Sequence, residues 1–148
     1  MITETSIEIE APAGVVWDVF ADVERWPEWT ESVDALTALD GPDLVVGNRF
    51  EIRQPRFPRL VWEVTAVEPG VSWTWRQRSP GGTTLATHEI EPLGAACALV
   101  RQRIDQRGPL GTLVGRLTRG TTRRYLAMEA AGLKAASEAH ARTDAPPA

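Results

Sequence analysis

The spacing of the hydrophobic residues alternates between two periods along the chain, and this alternation predicts the order of its elements. Residues 3–10 alternate between polar and apolar, residues 13–20 have helical spacing, and a Trp-rich segment with Pro27 follows. The period is two again from residue 33 onward, until a long helical pattern covers residues 110–139. Strict alternation indicates a half-buried strand, whereas a period near 3.6 indicates an amphipathic helix. The predicted order is therefore one strand, two short helices, six strands and one long helix.

Short turns rich in Gly, Pro and Asp separate the later strands, so strands that follow one another are expected to pair antiparallel. The predicted strands are Thr3–Glu10, Val33–Leu39, Asn48–Gln54, Leu60–Glu68, Val71–Arg78, Thr83–Glu91 and Ala96–Gln106. The apolar face of such a sheet needs cover, and only one long helix is available to supply it. We therefore predict an α+β fold in which a curved, seven-stranded antiparallel sheet grips the C-terminal helix and leaves an internal cavity.

The length and composition indicate a single globular domain. The chain has 148 residues, which suits one compact domain over residues 1–140, with a disordered tail over 141–148. The net charge of −4 argues against a general nucleic-acid binder, and the single cysteine, Cys97, excludes an internal disulfide. No apolar run is long enough to span a bilayer, and the first ten residues do not resemble a signal peptide. We therefore expect a cytoplasmic protein with no integral membrane contact.

None of the motifs that identify a catalytic or metal site by spacing is present in the sequence. There is no HExxH, GxGxxG, P-loop or GxSxG, and the two histidines, His88 and His140, are far apart. We therefore expect no metal and no cofactor, and the catalytic residues, if there are any, stay unassigned.

The side chains predicted to face the interior are mostly apolar, with a few polar groups among them. On the long helix, the predicted inward stripe is Leu110, Val114, Leu117, Thr121, Met128 and Ala135, with the small residue Gly132 leaving space. Apolar walls with sparse polar groups are typical of ligand pockets. The candidate ligand-binding residues are Trp26, Trp29, Phe50, Gln54, Trp62, Trp73, Trp75, His88, Gln102, Thr121, Arg124, Tyr125 and Met128.

Several of these candidates allow more than one role. Trp73 and Trp75 alternate on one strand, so they could stack on a planar ligand or fill the core. His88 has no carboxylate on its predicted face, which favours a hydrogen bond to a ligand or a core position over acid–base catalysis. Arg124 flanks the inward stripe, where it could hold a carboxylate or enolate, or it could lie on the surface.

The order of short motifs resembles that of a known family. The motifs are Pro12 with Val16-Trp17, Arg25-Trp-Pro-Glu-Trp29, Trp62-Glu-Val-Thr65, Glu68-Pro-Gly70, Trp73-Thr-Trp75, Gly108-Pro-Leu-Gly111 and Arg123-Arg-Tyr-Leu126. Over residues 3–139 the chain resembles the polyketide cyclase/dehydrase family of the START-like (Bet v 1-like, helix-grip) superfamily. The resemblance implies a hydrophobic cavity under the C-terminal helix, with Trp26 and Trp29 near its mouth. Members of the family include aromatase/cyclases and carriers of lipids and hormones.

Three functions are compatible with these features. The first is binding of a small hydrophobic or aromatic molecule in the cavity, which we prefer because no catalytic dyad is evident. The second is a polyketide cyclase/dehydrase-type enzyme, in which His88, Arg124 and Tyr125 would aid enolisation and loss of water. The third is an interaction module whose pocket is incidental. Its partner face would be Arg116, Arg119 and Arg123 with Leu126 and Leu133 as a second apolar stripe, and a homodimer is left open.

Overall fold

The computed structural model describes residues 1–144, which form one sheet, three α-helices and one 3₁₀ helix. The strands are β1 (Ile2–Ile9), β2 (Ala35–Ala38), β3 (Arg49–Arg53), β4 (Leu60–Glu68), β5 (Ser72–Ser79), β6 (Gly82–Gly94) and β7 (Cys97–Arg107). The helices are α1 (Ala13–Ala21), the 3₁₀ helix (Val23–Glu28), α2 (Pro109–Leu117) and α3 (Arg119–Asp144). The first two helices lie between β1 and β2, as the sequence predicts.

The seven strands form one antiparallel sheet in the order β1-β7-β6-β5-β4-β3-β2. Strands β2 to β7 form a meander in which each strand pairs with the next. The first strand, β1, pairs with the last, β7, with Ile2 opposite Asp105 and Ile9 opposite Ala98. A bulge in β4 shifts the register between Val64 and Ala66. Bulges of this kind bend a strand and increase its twist. The predicted α+β fold, with a seven-stranded antiparallel sheet and a C-terminal helix, is confirmed.

Aromatic rings join the sheet to the two short helices. The Phe20 ring of α1 lies 4.8 Å from the Trp73 ring of β5 and 5.5 Å from the Trp26 ring of the 3₁₀ helix, measured between centroids. Trp17 adds an edge contact to Trp73 at 5.8 Å. Burying side chains of this size contributes about 1.5–3 kcal/mol each. These contacts fix the 3₁₀ helix, and therefore Trp26, against the inner face of the sheet.

The predicted single helix over 110–139 is two helices. α2 ends at Leu117, and Thr118 leaves helical geometry with φ −102° and ψ 7°. The backbone N–H and the hydroxyl of Thr118 both donate to the Val114 carbonyl, at 2.8 and 2.7 Å. Threonine and glycine are poor helix formers, and a side chain that bonds to a backbone carbonyl competes with the helical pattern. Thr118 and Gly120 therefore interrupt a pattern that hydrophobic spacing alone treats as continuous.

The predicted inward stripe on the C-terminal helix is also wrong for most of its members. Leu110 and Leu117 are 49% and 78% exposed, and Ala135 is exposed as well. Leu126 and Leu133, which were considered for an outward partner face, are 4% and 0% exposed. The buried face of α3 consists of Tyr125, Leu126, Glu129, Ala130, Leu133 and Ser137. Two stripes in this part of the chain have helical spacing, and the structure buries the one that contains Leu126 and Leu133.

Gly132 shows why α3 packs in this orientation. A Cβ at this position would collide with the backbone carbonyl oxygen of Trp29. The glycine therefore allows the helix to approach the segment after the 3₁₀ helix, and it does not open a cavity as expected from the sequence. Only a residue without a side chain permits so close an approach.

Helix α2 packs against β6 and β7 through its glycines and leaves its leucines outside. A Cβ at Gly115 would lie 2.6 Å from the Oε1 atom of Gln106, so no larger residue fits there without a shift. On the outer side, Leu113 is 51% exposed, and Leu110 and Leu117 lie beside it at helical spacing. Arg116, Arg119 and Arg123 are exposed, as predicted.

The last part of the chain differs from the prediction as well. Residues 141–144, which were assigned to a disordered tail, belong to α3. The rest of that predicted tail, 145–148, lies outside the described residues. Within residues 1–144, no helix combines the length and the apolar character needed to cross a membrane.

Candidate functional site

A cavity of about 240 Å³ lies between the inner face of the sheet and the first half of α3. Strands β3 to β7 supply most of its wall. Its lining residues are Trp26, Val33, Ile52, Gln54, Phe57, Pro58, Leu60, Trp62, Trp75, Gln77, Ser79, Thr84, Ala86, Thr87, His88, Gln102, Ile104, Gln106, Val114, Thr122, Tyr125, Leu126 and Glu129. An apolar cavity of roughly 150 Å³ holds a benzene molecule. The present cavity is larger and has room for a compound of one or two rings.

Three tryptophans form the aromatic wall of the cavity. The Trp75 ring is 5.7 Å from the Trp26 ring and 6.0 Å from the Trp62 ring. Trp26 is held in place because its indole Nε1 donates a hydrogen bond to the Phe20 carbonyl at 2.9 Å. The wall is therefore apolar and preorganised.

Part of the predicted ligand-binding set lines this cavity. These residues are Trp26, Gln54, Trp62, Trp75, His88, Gln102 and Tyr125. Most of them lie on strands or directly after one, where side chains alternate between the two faces. Period two was therefore sufficient to place them on the inner face.

Phe50, Trp73 and Trp29 do not line the cavity. Phe50 and Trp73 are 0% and 1% exposed and belong to the core, where the Trp73 ring is covered by α1. Trp29 packs beside Phe20 at 6.4 Å, and its backbone lies against Gly132. These three rings pack against the tryptophans of the wall and do not face the cavity.

Thr121, Arg124 and Met128 do not line the cavity either. Their neighbours Thr122, Tyr125 and Glu129 do, and Arg124 is exposed on the outside of α3. A helix turns by about 100° per residue, so an error of one position moves a side chain off the face. The wrong stripe therefore accounts for all three misplaced residues.

The resemblance implied that Trp26 and Trp29 lie near the mouth of the cavity, but Trp26 is 2% exposed and Trp29 does not line the cavity. The exposed lining residues are Pro58 of the β3–β4 loop, Ser79 at the end of β5 and Val114 of α2. Tyr125 connects α3 to the same loop, because its hydroxyl donates to the Pro55 carbonyl. The loop, the end of β5 and α2 therefore surround the entrance.

His88 is held neutral in the wall of the cavity. It is 4% exposed and its ring stacks on the Trp73 ring at 4.1 Å. Burial lowers the pKa of His88 to about 3, although the bond from its Nδ1–H to the Trp73 carbonyl, at 3.3 Å, acts in the opposite direction. Because Nδ1 carries the proton, Nε2 is the acceptor of the neutral ring. His88 is therefore suited to accept a hydrogen bond and is a weak base.

Glu129 is the cavity residue that the sequence interpretation missed. It lies on α3 and is 7% exposed, and the Ser32 hydroxyl donates to its Oε1 atom over 3.5 Å. Burial raises the pKa of Glu129 to about 8, and the bond from Ser32 offsets this only in part. At neutral pH the group is therefore mainly an uncharged carboxylic acid that can donate a hydrogen bond. Its position one turn after Tyr125 and one turn before Leu133 would have identified it, had Leu126 and Leu133 been assigned to the buried stripe.

Gln102 adds a second polar group to the same region. It lies on β7 opposite His88 of β6, and it is 2% exposed. Neither the Nε2 nor the Oε1 atom of its amide has a hydrogen-bond partner among the described residues. By contrast, Gln77, a wall residue on β5, donates to the Arg78 carbonyl at 2.8 Å. Gln102 therefore offers a donor and an acceptor that no other described residue uses.

The charges around the cavity are as informative as its polar groups. None of the described residues that line it is Arg or Lys. In residues 1–144, no group of three or more His, Cys, Asp and Glu side chains could hold a metal ion. The cavity wall thus combines aromatic rings, amides, one acid and one neutral imidazole.

Comparison of the sequence with known families identifies a match over nearly the whole chain. The family model described as polyketide cyclase / dehydrase and lipid transport matches residues 2–138. No curated protein sequence matches the chain.

Solved structures share the fold at low sequence identity. A START superfamily protein from Mycobacterium smegmatis is 18% identical with a TM-score of 0.69, and the match covers 96% of this chain and 97% of that one. Norcoclaurine synthase from Thalictrum flavum is 14% identical with a TM-score of 0.74, and the match covers 95% of both chains. The di-domain ARO/CYC BexL from the BE-7585A biosynthetic pathway is 22% identical with a TM-score of 0.69, covering 93% of this chain and 46% of that one. The family match over residues 2–138 shows that the chain belongs to the polyketide cyclase / dehydrase and lipid transport family, and the three solved structures share its fold.

Proposed function

We propose that this protein binds a small hydrophobic or aromatic molecule in the cavity between the sheet and α3. The tryptophan wall carries the proposal, because Trp26, Trp62 and Trp75 border a space of about 240 Å³. Aromatic pairs in offset or edge contact contribute about 0.5–1.5 kcal/mol beyond the burial of their surface. An apolar pocket with a few convergent polar groups is the usual form of a small-molecule site. The lipid transport in the family description is in line with a carrier of apolar compounds.

Two neighbouring threonines on α3 provide a matched test of this proposal. Thr122 lines the cavity, whereas Thr121 does not, and both are partly buried. We expect T122F to weaken binding of naphthalene at least tenfold and T121F to leave it nearly unchanged, as measured by tryptophan quenching and native mass spectrometry. If wild type binds naphthalene and both variants bind it equally well, the ligand site lies elsewhere.

A second candidate function is a cyclase/dehydrase-type enzyme, and Glu129 is the observation that favours it. Loss of water from a β-hydroxy ketone needs an acid at the departing hydroxyl and a base at the α-hydrogen. Glu129 could supply the acid, but His88 would be a weak base because of its low pKa. The other groups expected to assist are not available, since Arg124 lies outside and the Tyr125 hydroxyl donates to the Pro55 carbonyl. The structural similarity to the ARO/CYC BexL supports this candidate, but the lack of a suitable base places it second to ligand binding.

The enzyme candidate can be tested on a bicyclic β-hydroxy ketone. Loss of water conjugates the product, so its ultraviolet absorbance reports turnover. An enzyme that uses Glu129 as its acid should be active as wild type and inactive as E129Q. Equal absorbance changes with wild type, E129Q and no protein would reject catalysis of this type.

Location and assembly are two further expectations. We expect the protein in the cytoplasm, which cell fractionation would test. A homodimer is supported by the exposed leucines of α2, among which Leu113 and Leu117 are 51% and 78% exposed. Light scattering of wild type and an L113S/L117S variant would show whether this surface pairs two copies.

A further inference from the structure

We propose that the cavity selects an uncharged ring compound through one carbonyl or hydroxyl group, recognised by Glu129 and Gln102, and that it rejects organic anions. This inference rests on the proposed binding function and specifies the chemical class of its ligand.

The exclusion of anions follows from the charges of the cavity wall. A carboxylate or phosphate that enters loses its hydration, and this loss is strongly unfavourable unless a cation or several donors replace the water. Among the described residues that line the cavity there is no Arg or Lys, and His88 is neutral. Arg124, the sequence candidate for holding a carboxylate, is exposed outside the cavity. An anion would also meet Glu129, whose ionised form would repel it.

The preference for a hydrogen-bonding group follows from Gln102. A buried amide without hydrogen-bond partners is unfavourable, because it has lost its bonds to water without replacing them. Gln102 is 2% exposed, and both of its amide atoms lack a partner among the described residues. A ligand carbonyl could accept from its Nε2 atom, and a ligand hydroxyl could also donate to its Oε1 atom.

Glu129 approaches the cavity from the opposite layer, on α3. The Ser32 hydroxyl donates to its Oε1 atom over 3.5 Å, which is long for a hydrogen bond. Ser32 is itself engaged with the Thr30 hydroxyl at 2.7 Å. The protonated carboxyl group therefore has a hydrogen to donate to a ligand oxygen, which matches the donor offered by Gln102. A hydrocarbon without a polar group would leave the donors of Glu129 and Gln102 without an acceptor.

An ammonium ligand is the opposite hypothesis, and pH separates the two. Trp26, Trp62 and Trp75 could surround a cation, but Glu129 would first have to lose its proton to pair with it. Affinity for an amine would therefore rise as pH increases toward about 8. Affinity for an uncharged carbonyl compound would fall over the same range, because an ionised Glu129 cannot donate.

Four probes that share one ring system test the proposal by isothermal titration or native mass spectrometry. They are naphthalene, 2-acetylnaphthalene, naphthalene-2-carboxylate and naphthalene-2-methylamine. At pH 6.5 we expect 2-acetylnaphthalene to bind at least tenfold more tightly than the other three. Its affinity for wild type should fall several-fold between pH 6.5 and pH 9. E129Q, which keeps an amide donor, should remove this pH dependence, and Q102L should reduce the preference over naphthalene.

The outcomes separate this inference from the proposed function. If naphthalene binds but the acetyl group gives no advantage, the cavity binds apolar compounds and the selection by polar groups is wrong. If the carboxylate or the amine binds most tightly, the selection of uncharged ligands is overturned. If no probe binds wild type, the proposed binding function and this inference both fail. Thermal unfolding of each variant confirms that it is folded, and Q102L tests the proposal independently of E129Q.

Discussion

Two side chains of the cavity wall, His88 and Glu129, are uncharged at neutral pH for the same reason. Burial disfavours the charged form of both groups, so it lowers the pKa of His88 to about 3 and raises that of Glu129 to about 8. Neither has an opposite charge beside it among its recorded partners, which are a backbone carbonyl and a hydroxyl. Over most of the range between these two values the wall is therefore electrically neutral.

Replacing Glu129 with Gln should increase the free energy of unfolding near pH 8 and change it little near pH 4. The unfolded carboxyl ionises near 4.5 and the folded one only near 8, so the wild type loses stability as pH rises between these values. The accumulated loss is roughly 2–4 kcal/mol, and a buried amide avoids it. The loss of stability from His88 as pH falls from 6.5 toward 3 is common to both proteins and cancels.

Urea unfolding at pH 4, 6 and 8 measures this effect. The exposed Glu89 on β6 provides a control, since E89Q should differ from wild type by less than about 0.5 kcal/mol at each pH. A difference between E129Q and wild type that does not change with pH would contradict the burial of a protonated carboxyl group.

Hydrophobic spacing predicts the buried face of a strand better than that of a helix. Within strands, period two placed Trp62, Trp75 and His88 correctly, because a side chain on a strand has only two directions to choose from. On a helix the same information is ambiguous when two stripes are apolar, and the sequence interpretation selected Leu117 in place of Leu133. The deciding facts are tertiary, above all the contact of Gly132 with the backbone of Trp29.

A matched pair of leucine substitutions tests the orientation of the helices. L133A should decrease the free energy of unfolding by about 2–5 kcal/mol, because the side chain is 0% exposed and its loss leaves a cavity. L117A should change it by less than about 0.5 kcal/mol, since this leucine is 78% exposed. Chemical denaturation followed by circular dichroism measures both. Similar losses for the two variants would mean that the burial described for α2 and α3 is wrong.

What could be predicted for the site follows the same division. Trp62 and Trp75 of the aromatic wall could be predicted because they lie on strands, whereas Trp26 lies within the 3₁₀ helix and is held there by its hydrogen bond to the Phe20 carbonyl. Glu129 could not be predicted as a wall residue, because a glutamate is expected on the surface unless its helical stripe is known to be buried. The position of the entrance could not be read from local patterns either, since it depends on where α2 lies relative to the β3–β4 loop.

At the scale of the whole molecule, the proposed binding of a ligand in the cavity would be coupled to the stability of both layers. The cavity is walled by strands on one side and by α3 on the other, with Tyr125 of α3 bonded to the β3–β4 loop. A ligand that fills this space contacts both layers in the folded state and has no such site in the unfolded chain. Binding energy therefore adds directly to the free energy of unfolding.

We expect 2-acetylnaphthalene, at a free concentration of one hundred times its Kd, to add about 2.7 kcal/mol of stability. Differential scanning calorimetry should show a rise in Tm that grows with ligand concentration. The same concentration of naphthalene-2-carboxylate should produce little or no rise, and T122F should reduce the response to the ketone. A ketone that binds wild type and yet leaves Tm unchanged would mean that it binds outside the folded layers.

The pairing of the first strand with the last has a consequence for how the chain folds. β1 makes its sheet contacts only with β7, from Ile2 opposite Asp105 to Ile9 opposite Ala98. During synthesis, this strand leaves the ribosome long before its partner exists, so its backbone amides stay unpaired while the meander forms. Joining such distant segments has a high entropic cost and slows folding, and an open strand edge favours aggregation meanwhile. β1 can therefore join the sheet only after β7 has been synthesised, and α3, which contacts β1, follows β7 in the chain.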